Sequence, residues 1–174
     1  MSTLSLDSPI PKDSWTLYWH SSEGRDWSLP SFVSFGKMAT WREFHSIIQS
    51  VTYESISDGM FFLMRGNTVP RWENGQNIYG GAYSIRVPKE NAGQIFERYA
   101  IAAMLSEAVT DPANVINGLS ISPKNSSTAK QRFNIIKIWN TNSEKFKKSE
   151  DLLCLTSDVR TSEVLYTPFT DKKM

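Results

Sequence analysis

Residues 61–85 read FFLMRGNTVPRWENGQNIYGGAYSI, and the succession of textures along this stretch decides the fold. The apolar run GMFFLMRG at 59–66 is too short and too aromatic for a helix, so it predicts a strand buried on both sides. Residues 68–77, TVPRWENGQN, gather the turn formers Pro70, Asn74 and Gly75, which predicts a loop. GAYSIRVP at 81–88 alternates Tyr83, Ile85 and Val87 with other residues and ends at Pro88, a second strand. The loop between them carries Trp72 directly before Glu73. Loops lie at the surface, and an indole there leaves a large apolar face in water unless something covers it. The question is what covers Trp72, and why a carboxylate stands beside it.

Working outward, WTLYWH at 15–20 alternates Trp15, Leu17 and Trp19 with Thr16, Tyr18 and His20, the period of a strand. A polar loop at 21–30 follows with an isolated Trp27, then SFVSFG at 31–36 as another strand. In TWREFHSIIQSV at 40–51, Thr40 and Glu43 have capping-box spacing, and Phe44, Ile47, Ile48 and Val51 fall at i, i+3, i+4 and i+7. That predicts an amphipathic helix with Trp41 and His45 facing outward. Residues 91–109 have helical composition and stop before Asp111-Pro112. Strands are expected at 114–123 and 132–141, a loop at 124–131, a short helix at 144–153 and a last strand at 163–169. In the strand RFNIIKIWNT, Phe133, Ile135, Lys137 and Trp139 share one face, and Asn134, Ile136 and Ile138 the other. Residues 1–14, with Pro9 and Pro11, read as a flexible arm before one domain at 15–174. Strands joined by short links and interrupted by three helices predict an α+β fold, one mainly antiparallel sheet with the helices on one face.

The 174 residues balance 19 basic against 18 acidic side chains, a net charge of +1. That excludes polycation behaviour, so any nucleic-acid contact must come from a local patch. One cysteine excludes an internal disulfide and fits a reducing compartment. Cys154, in the apolar stretch LLCLT, reads as a buried, inert thiol. The N-terminus lacks the basic and apolar regions of a signal peptide, and no stretch approaches a membrane span. No nucleophile elbow, phosphate loop, dinucleotide fingerprint or Cys/His metal spacing occurs, so no catalytic residue, metal or cofactor is expected.

The compositional anomaly is aromatic: six Trp, six Tyr and nine Phe. Core packing explains most of them and competes for each loop Trp taken alone. An indole face is nevertheless the best side-chain partner for a cation, and bases stack on it. A carboxylate can accept the N1–H and N2–H of a guanine edge. Lys124, Lys130 and Arg132 could hold phosphates. Together these groups suit a positively charged purine bearing phosphates.

The order of these features resembles the eukaryotic translation initiation factor 4E family, which binds the 7-methylguanosine cap of mRNA. The matching pieces are WTLYWH with Trp27, TWREFHSII, residues 61–85 with Pro-X-Trp-Glu and Gly80-Gly81, and NIIKIWNT; the match spans roughly residues 9–141. The short chain and altered loop resemble divergent, kinetoplastid-type members. The resemblance implies a curved sheet with about three helices on its convex face and a cap slot on the concave side. It implies that Trp27 and Trp72 stack on the methylated base, Glu73 reads the guanine edge, and Trp139 lies near the methyl group. Two departures stand out. Ser122 and Ile135 occupy the positions of the family's phosphate-binding Arg and Lys, leaving Lys124, Lys130, Arg132 and Lys137 as substitutes. His45 occupies the position of the Trp that docks partners carrying Tyr-X4-Leu, with Trp41 one turn earlier and Pro9 and Ile10 completing the expected partner surface. The implied partners are capped mRNA, with an ordinary or hypermethylated cap, and a scaffold similar to initiation factor 4G or a 4E-binding protein. The implied protein is a cytoplasmic, non-enzymatic initiation factor. The alternatives are a cap-binding repressor or mRNA storage factor and, further off, a decapping-type enzyme.

Overall fold

A computed structural model describes residues 5–124 and 133–170. Within these residues, seven strands form one curved sheet: β1 Trp15–Ser21, β2 Val33–Met38, β3 Gly59–Arg65, β4 Gly81–Pro88, β5 Ile116–Pro123, β6 Phe133–Asn140 and β7 Leu165–Pro168, in the order β2-β1-β3-β5-β6-β4-β7. Every neighbouring pair is antiparallel. Register breaks between Thr16 and Tyr18 and between Ile116 and Gly118 bend the sheet locally.

The pleat divides the apolar residues between two faces. Trp15, Leu17, Phe61, Leu63, Leu119, Ile121, Ile136 and Ile138 join the main core beneath the helices. Phe62, Met64 and Trp139 point the other way, into a smaller aromatic cluster with Phe32, Ala82 and Phe169. The face assignment expected for residues 133–139 thus holds, with Lys137 and Trp139 opposite Ile136 and Ile138.

Helix α1, Trp41–Ile48, begins at the expected capping box: the Glu43 amide donates to the Thr40 hydroxyl, and the Glu43 carboxylate accepts from the Thr40 amide at 3.1 Å. It buries Phe44 and Ile48. Helix α2, Tyr53–Asp58, starts at a second capping box, Thr52 with Ser55; it escaped the sequence reading because Ile56 is its one buried residue. Helix α3, Ala92–Met104, ends before the expected residue 109. Ser106 takes a left-handed φ of 59°, its amide donates to Ala103 and the Glu107 amide to Ala102, a Schellman stop with Ser where Gly is usual.

Three expectations are corrected. Residues 144–153 form no α-helix; only a 3-10 turn, Ser149–Asp151, occurs. Asn142 accepts from the amides of Glu144 and Lys145, favouring a turn, and an isolated bridge between Val109 and Leu152 fixes the segment as extended chain. Cys154 is exposed, its sulfur 3.4 Å from the Thr161 hydroxyl. The arm is anchored from Ser5 onward: Ile10 is buried, its amide donates to the Ala39 carbonyl, and Asp7 pairs with Arg42 at 2.7 Å. The Arg42 guanidinium holds the Asp7 carboxyl below its usual range. Among the described residues no helix is long and apolar enough to cross a membrane.

Tyr99 and Tyr83 are fully buried in the main core. The Tyr99 hydroxyl donates to the Leu153 carbonyl at 2.7 Å and accepts from the Leu155 amide at 3.2 Å. Burial pushes both phenols from 10.0 up to about 12. A raised folded-state value means stability is fully present below pH 10 and is lost as pH rises toward 12. Urea titrations across this window should show that decline. Tyr99→Phe should cost about 1–2 kcal/mol at neutral pH and flatten the decline; an unaltered slope would refute the assignment of Tyr99 as a contributor.

Candidate functional site

The loop at 66–80 is tied down from beneath by one side chain. Asn77 is fully buried, and its amide nitrogen donates to the carbonyls of Val69 (3.1 Å) and Arg71 (3.0 Å). Its carbonyl oxygen accepts from the Asn117 side chain on β5 at 3.3 Å. Those bonds satisfy backbone groups that a buried loop would otherwise leave unpaired. Gly75 supplies a left-handed φ of 54°, and buried Pro70 stiffens the approach. Gly80 and Gly81 follow because nothing larger fits: a Cβ at Gly80 would overlap the Asn140 carbonyl, and one at Gly81 would lie 2.5 Å from the Thr167 carbonyl.

Trp72, thus placed, is half-buried against Phe169, the rings 6.4 Å apart and tilted by 30°. Phe169 in turn meets Trp139 edge-on at 5.1 Å, and Trp139 meets Phe62 at 6.1 Å. The Trp139 indole donates to the Ser120 hydroxyl at 3.3 Å, which fixes the ring's orientation. Across the sheet, Trp27 is 44% exposed. One face of its indole lies flat on the His20 imidazole, with centroids 3.8 Å apart and planes 4° from parallel. His20 is itself buried, its ring nitrogens 2.8 Å and 2.6 Å from the carbonyl oxygens of Ser21 and Asp26. Gly24 lets the loop close over it, since a Cβ there would stand 3.1 Å from the imidazole.

These groups converge. Trp27, Trp72, Glu73, Lys137 and Trp139 line one cavity of about 310 Å³ on the helix-free face, with Phe62 among the side chains forming its wall. Glu73 is paired there: Arg71 donates to one carboxylate oxygen from Nε at 3.0 Å and from Nη2 at 2.7 Å. The cavity therefore offers two indoles with free surface, one carboxylate and two cations, a lining suited to a flat, charged aromatic ligand. Among the described residues no group of three His, Cys, Asp or Glu could hold a metal.

Other expected site residues lie elsewhere. Lys124 lines a neighbouring cavity of about 760 Å³ with Arg86 and Arg160. Lys130 and Arg132 are outside the described residues. On α1, His45 is exposed and 3.2 Å from the Gln49 amide. Trp41 is not the outward anchor expected: it is half-buried, packed on the core and edge-on to Phe44 at 6.1 Å. Ile10, expected on the partner surface, is core, whereas Pro9 stays exposed beside Thr40. The sequence reading missed His20, Arg71, Asn77 and Phe169. The adjacency of Arg71 to Glu73 and the left-over Asn77 in a loop were the available signals.

A family model described as Eukaryotic initiation factor 4E matches residues 11–170. Solved structures share the fold. One is a schistosome initiation factor 4E complexed with m7GpppA and a 4E-binding protein: 20% identity, 81% of this chain and 75% of that one, TM-score 0.66. Another is the C. elegans factor 4E-3 with the 4E-binding protein Mextli and a cap analog: 13% identity, 95% and 94%, TM-score 0.72. A third is Ascaris suum factor 4E-3 with an m7G cap: 15% identity, 78% and 74%, TM-score 0.61.

The loop geometry gives a stability prediction. Asn77→Ala leaves the Val69 carbonyl and the Asn117 amide without the partner they have here, and the Arg71 carbonyl with the Asn74 amide alone, so it should destabilise the fold by about 2–4 kcal/mol in urea titration. A loss below 0.5 kcal/mol, roughly the level of a neutral surface change, would show that Asn77 does not hold the loop.

Proposed function

The chain belongs to the eukaryotic initiation factor 4E family, and from that premise we propose that it binds the 7-methylguanosine 5′ cap of mRNA without catalysing a reaction. The observation that carries this reading is convergence: Trp27, Trp72, Glu73 and Trp139, from three separate segments, line one cavity. A methylated guanine is flat and cationic. It inserts between the outer face of Trp27, supported from behind by His20, and the ring of Trp72. Each stack contributes about 1–3 kcal/mol, and the indole faces favour the charge. Glu73 accepts N1–H and N2–H, and Trp139 contacts the methyl group. The phosphates leave past Lys137, which lines the same cavity, toward Lys124 in the next one. Lys130 and Arg132 remain candidates for the same task.

Capped mRNA, held this way, is delivered in the cytoplasm to a scaffold or 4E-binding partner across the α1 face. One observation favours the repressor or storage reading instead. With Trp41 half-buried against the core and His45 in place of a second aromatic, α1 presents less of the aromatic area that usually anchors a partner. In cell-free translation of a capped reporter, added protein raises output if it recruits and lowers output if it stores.

Binding is tested by titrating 7-methylguanosine triphosphate into wild type, Trp27→Ala, Trp72→Ala and Glu73→Ala. Each Trp variant should lose about 1–3 kcal/mol of affinity with the fold intact. Glu73→Ala should lose more, because two charge-assisted bonds go. Unchanged dissociation constants in both Trp variants would overturn the pocket assignment.

A further inference from the structure

Arg71 stands inside the Pro-X-Trp-Glu segment, and its side chain is committed to Glu73. Nε and Nη2 both reach the same carboxylate oxygen, at 3.0 Å and 2.7 Å, with the two side chains 31% and 35% exposed. Both residues line the cavity beside Trp72. The backbone of Arg71 is held independently of this pair, since its carbonyl accepts from Asn77 at 3.0 Å and from the Asn74 amide at 3.2 Å. The side chain can therefore change without moving the loop, and a role other than building the loop must be sought for it.

We propose that Arg71 sets how strongly the site distinguishes a cationic, 7-methylated purine from a neutral one, by neutralising the carboxylate that faces the base. The inference deepens the cap-binding reading and rests on it. A carboxylate has about four lone-pair directions, two on each oxygen. Arg71 fills both on Oε1. A guanine edge offers N1–H and N2–H side by side and needs both oxygens, so on binding it must share Oε1 with the guanidinium or displace one of its bonds. The bonds exchanged are the same in number and geometry for guanine and 7-methylguanine, because their N1 and N2 groups face Glu73 alike; the cation's N–H groups differ in being the stronger, charge-assisted donors.

Charge separates the two ligands. N7 methylation gives the base a positive charge that guanine lacks. A lone Glu73 would attract that charge; a guanidinium 2.7 Å from the carboxylate repels it by nearly as much. With Lys137 also on the wall, the indole faces remain as the groups that favour the methylated base. Arg71 thus lowers methyl selectivity, and a neutral residue at this position raises it.

The test measures the dissociation constants of GTP and 7-methyl-GTP for the full chain carrying Arg71, Arg71→Met or Arg71→Lys, and takes the GTP to 7-methyl-GTP ratio. The two ligands share one triphosphate, so any change in phosphate contact cancels in the ratio. In Arg71→Met the ratio should rise roughly three- to tenfold, the size expected for removing one unit charge near a partly solvated site. Arg71→Lys keeps the charge and should stay within about twofold of wild type. A ratio that is unchanged or lower in Arg71→Met overturns the proposal; if both affinities also fall together, the guanidinium holds phosphate instead. If wild type binds neither nucleotide, the cap-binding reading itself fails and this role fails with it. If wild type binds 7-methyl-GTP in a Trp72-dependent way while the ratio does not move, only the role of Arg71 is lost.

Discussion

The pleat of β3 between β1 and β5 is the constraint on which the rest depends. Phe61 and Leu63 point to the helices, while Phe62 and Met64 point to the opposite face. The same alternation, carried across the register to Leu119 and Ser120 on β5 and to Ile138 and Lys137 on β6, gives the sheet a helix-covered face, where aliphatic side chains join Trp15, Phe61 and Tyr83, and an aromatic face. A slip of one residue would exchange the two faces completely. The first of these is closed by α1, α2 and α3. Among the described residues no helix longer than a 3-10 turn covers the aromatic face; its rings run edge to face from Phe32 through Phe62 and Trp139 to Phe169, and Trp72 leans on Phe169 at a 30° tilt. A floor of this kind positions rings precisely while leaving their outer surfaces in reach of a ligand.

Two polar clamps then set the walls. Asn77 fixes the loop bearing Trp72 and Glu73. Asn140, fully buried at the end of β6, accepts from the Gly81 amide at 3.0 Å and the Tyr166 hydroxyl at 2.8 Å, and donates to Asn114 at 3.0 Å. This network secures the start of β4 and the β7 strand that leads to Phe169. Because each member is satisfied, the network rigidifies the site rather than weakening the core. The other wall is built differently: Trp27 sits on an exposed loop and takes its orientation from a flat stack on His20. One wall is thus set by hydrogen bonds and the other by ring contact, and the second has more freedom to adjust to what enters.

Strong periodicity was readable from the sequence; contacts between distant residues were not. The alternation in residues 15–20, 81–88 and 132–141, and the capping box at Thr40, identified β1, β4, β6 and α1. The loop assignment of Trp27 and Trp72 led to the cavity they share. A six-residue helix with one buried side chain, α2, has no period to detect. Residues 144–153 looked helical by composition, yet local bonds from Asn142 and a bridge at Leu152 overrode that preference. Trp41 could not be placed on the correct side of α1, because it lies at the boundary between the buried and exposed faces. His20 looked like any alternating strand residue. Its place behind Trp27 depends on a turn at Gly24 that brings the next loop back across the strand.

The central claim is that a cationic purine stacks on the aromatic face between Trp27 and Trp72. Assigned indole N–H resonances of the six tryptophans, followed by NMR while 7-methylguanosine triphosphate is added, test it most directly. The account predicts large shifts at Trp27, Trp72 and Trp139, with little change at Trp15, Trp19 and Trp41 on the helical face. Shifts centred on Trp41, or an unperturbed Trp72 at saturating ligand, would contradict it.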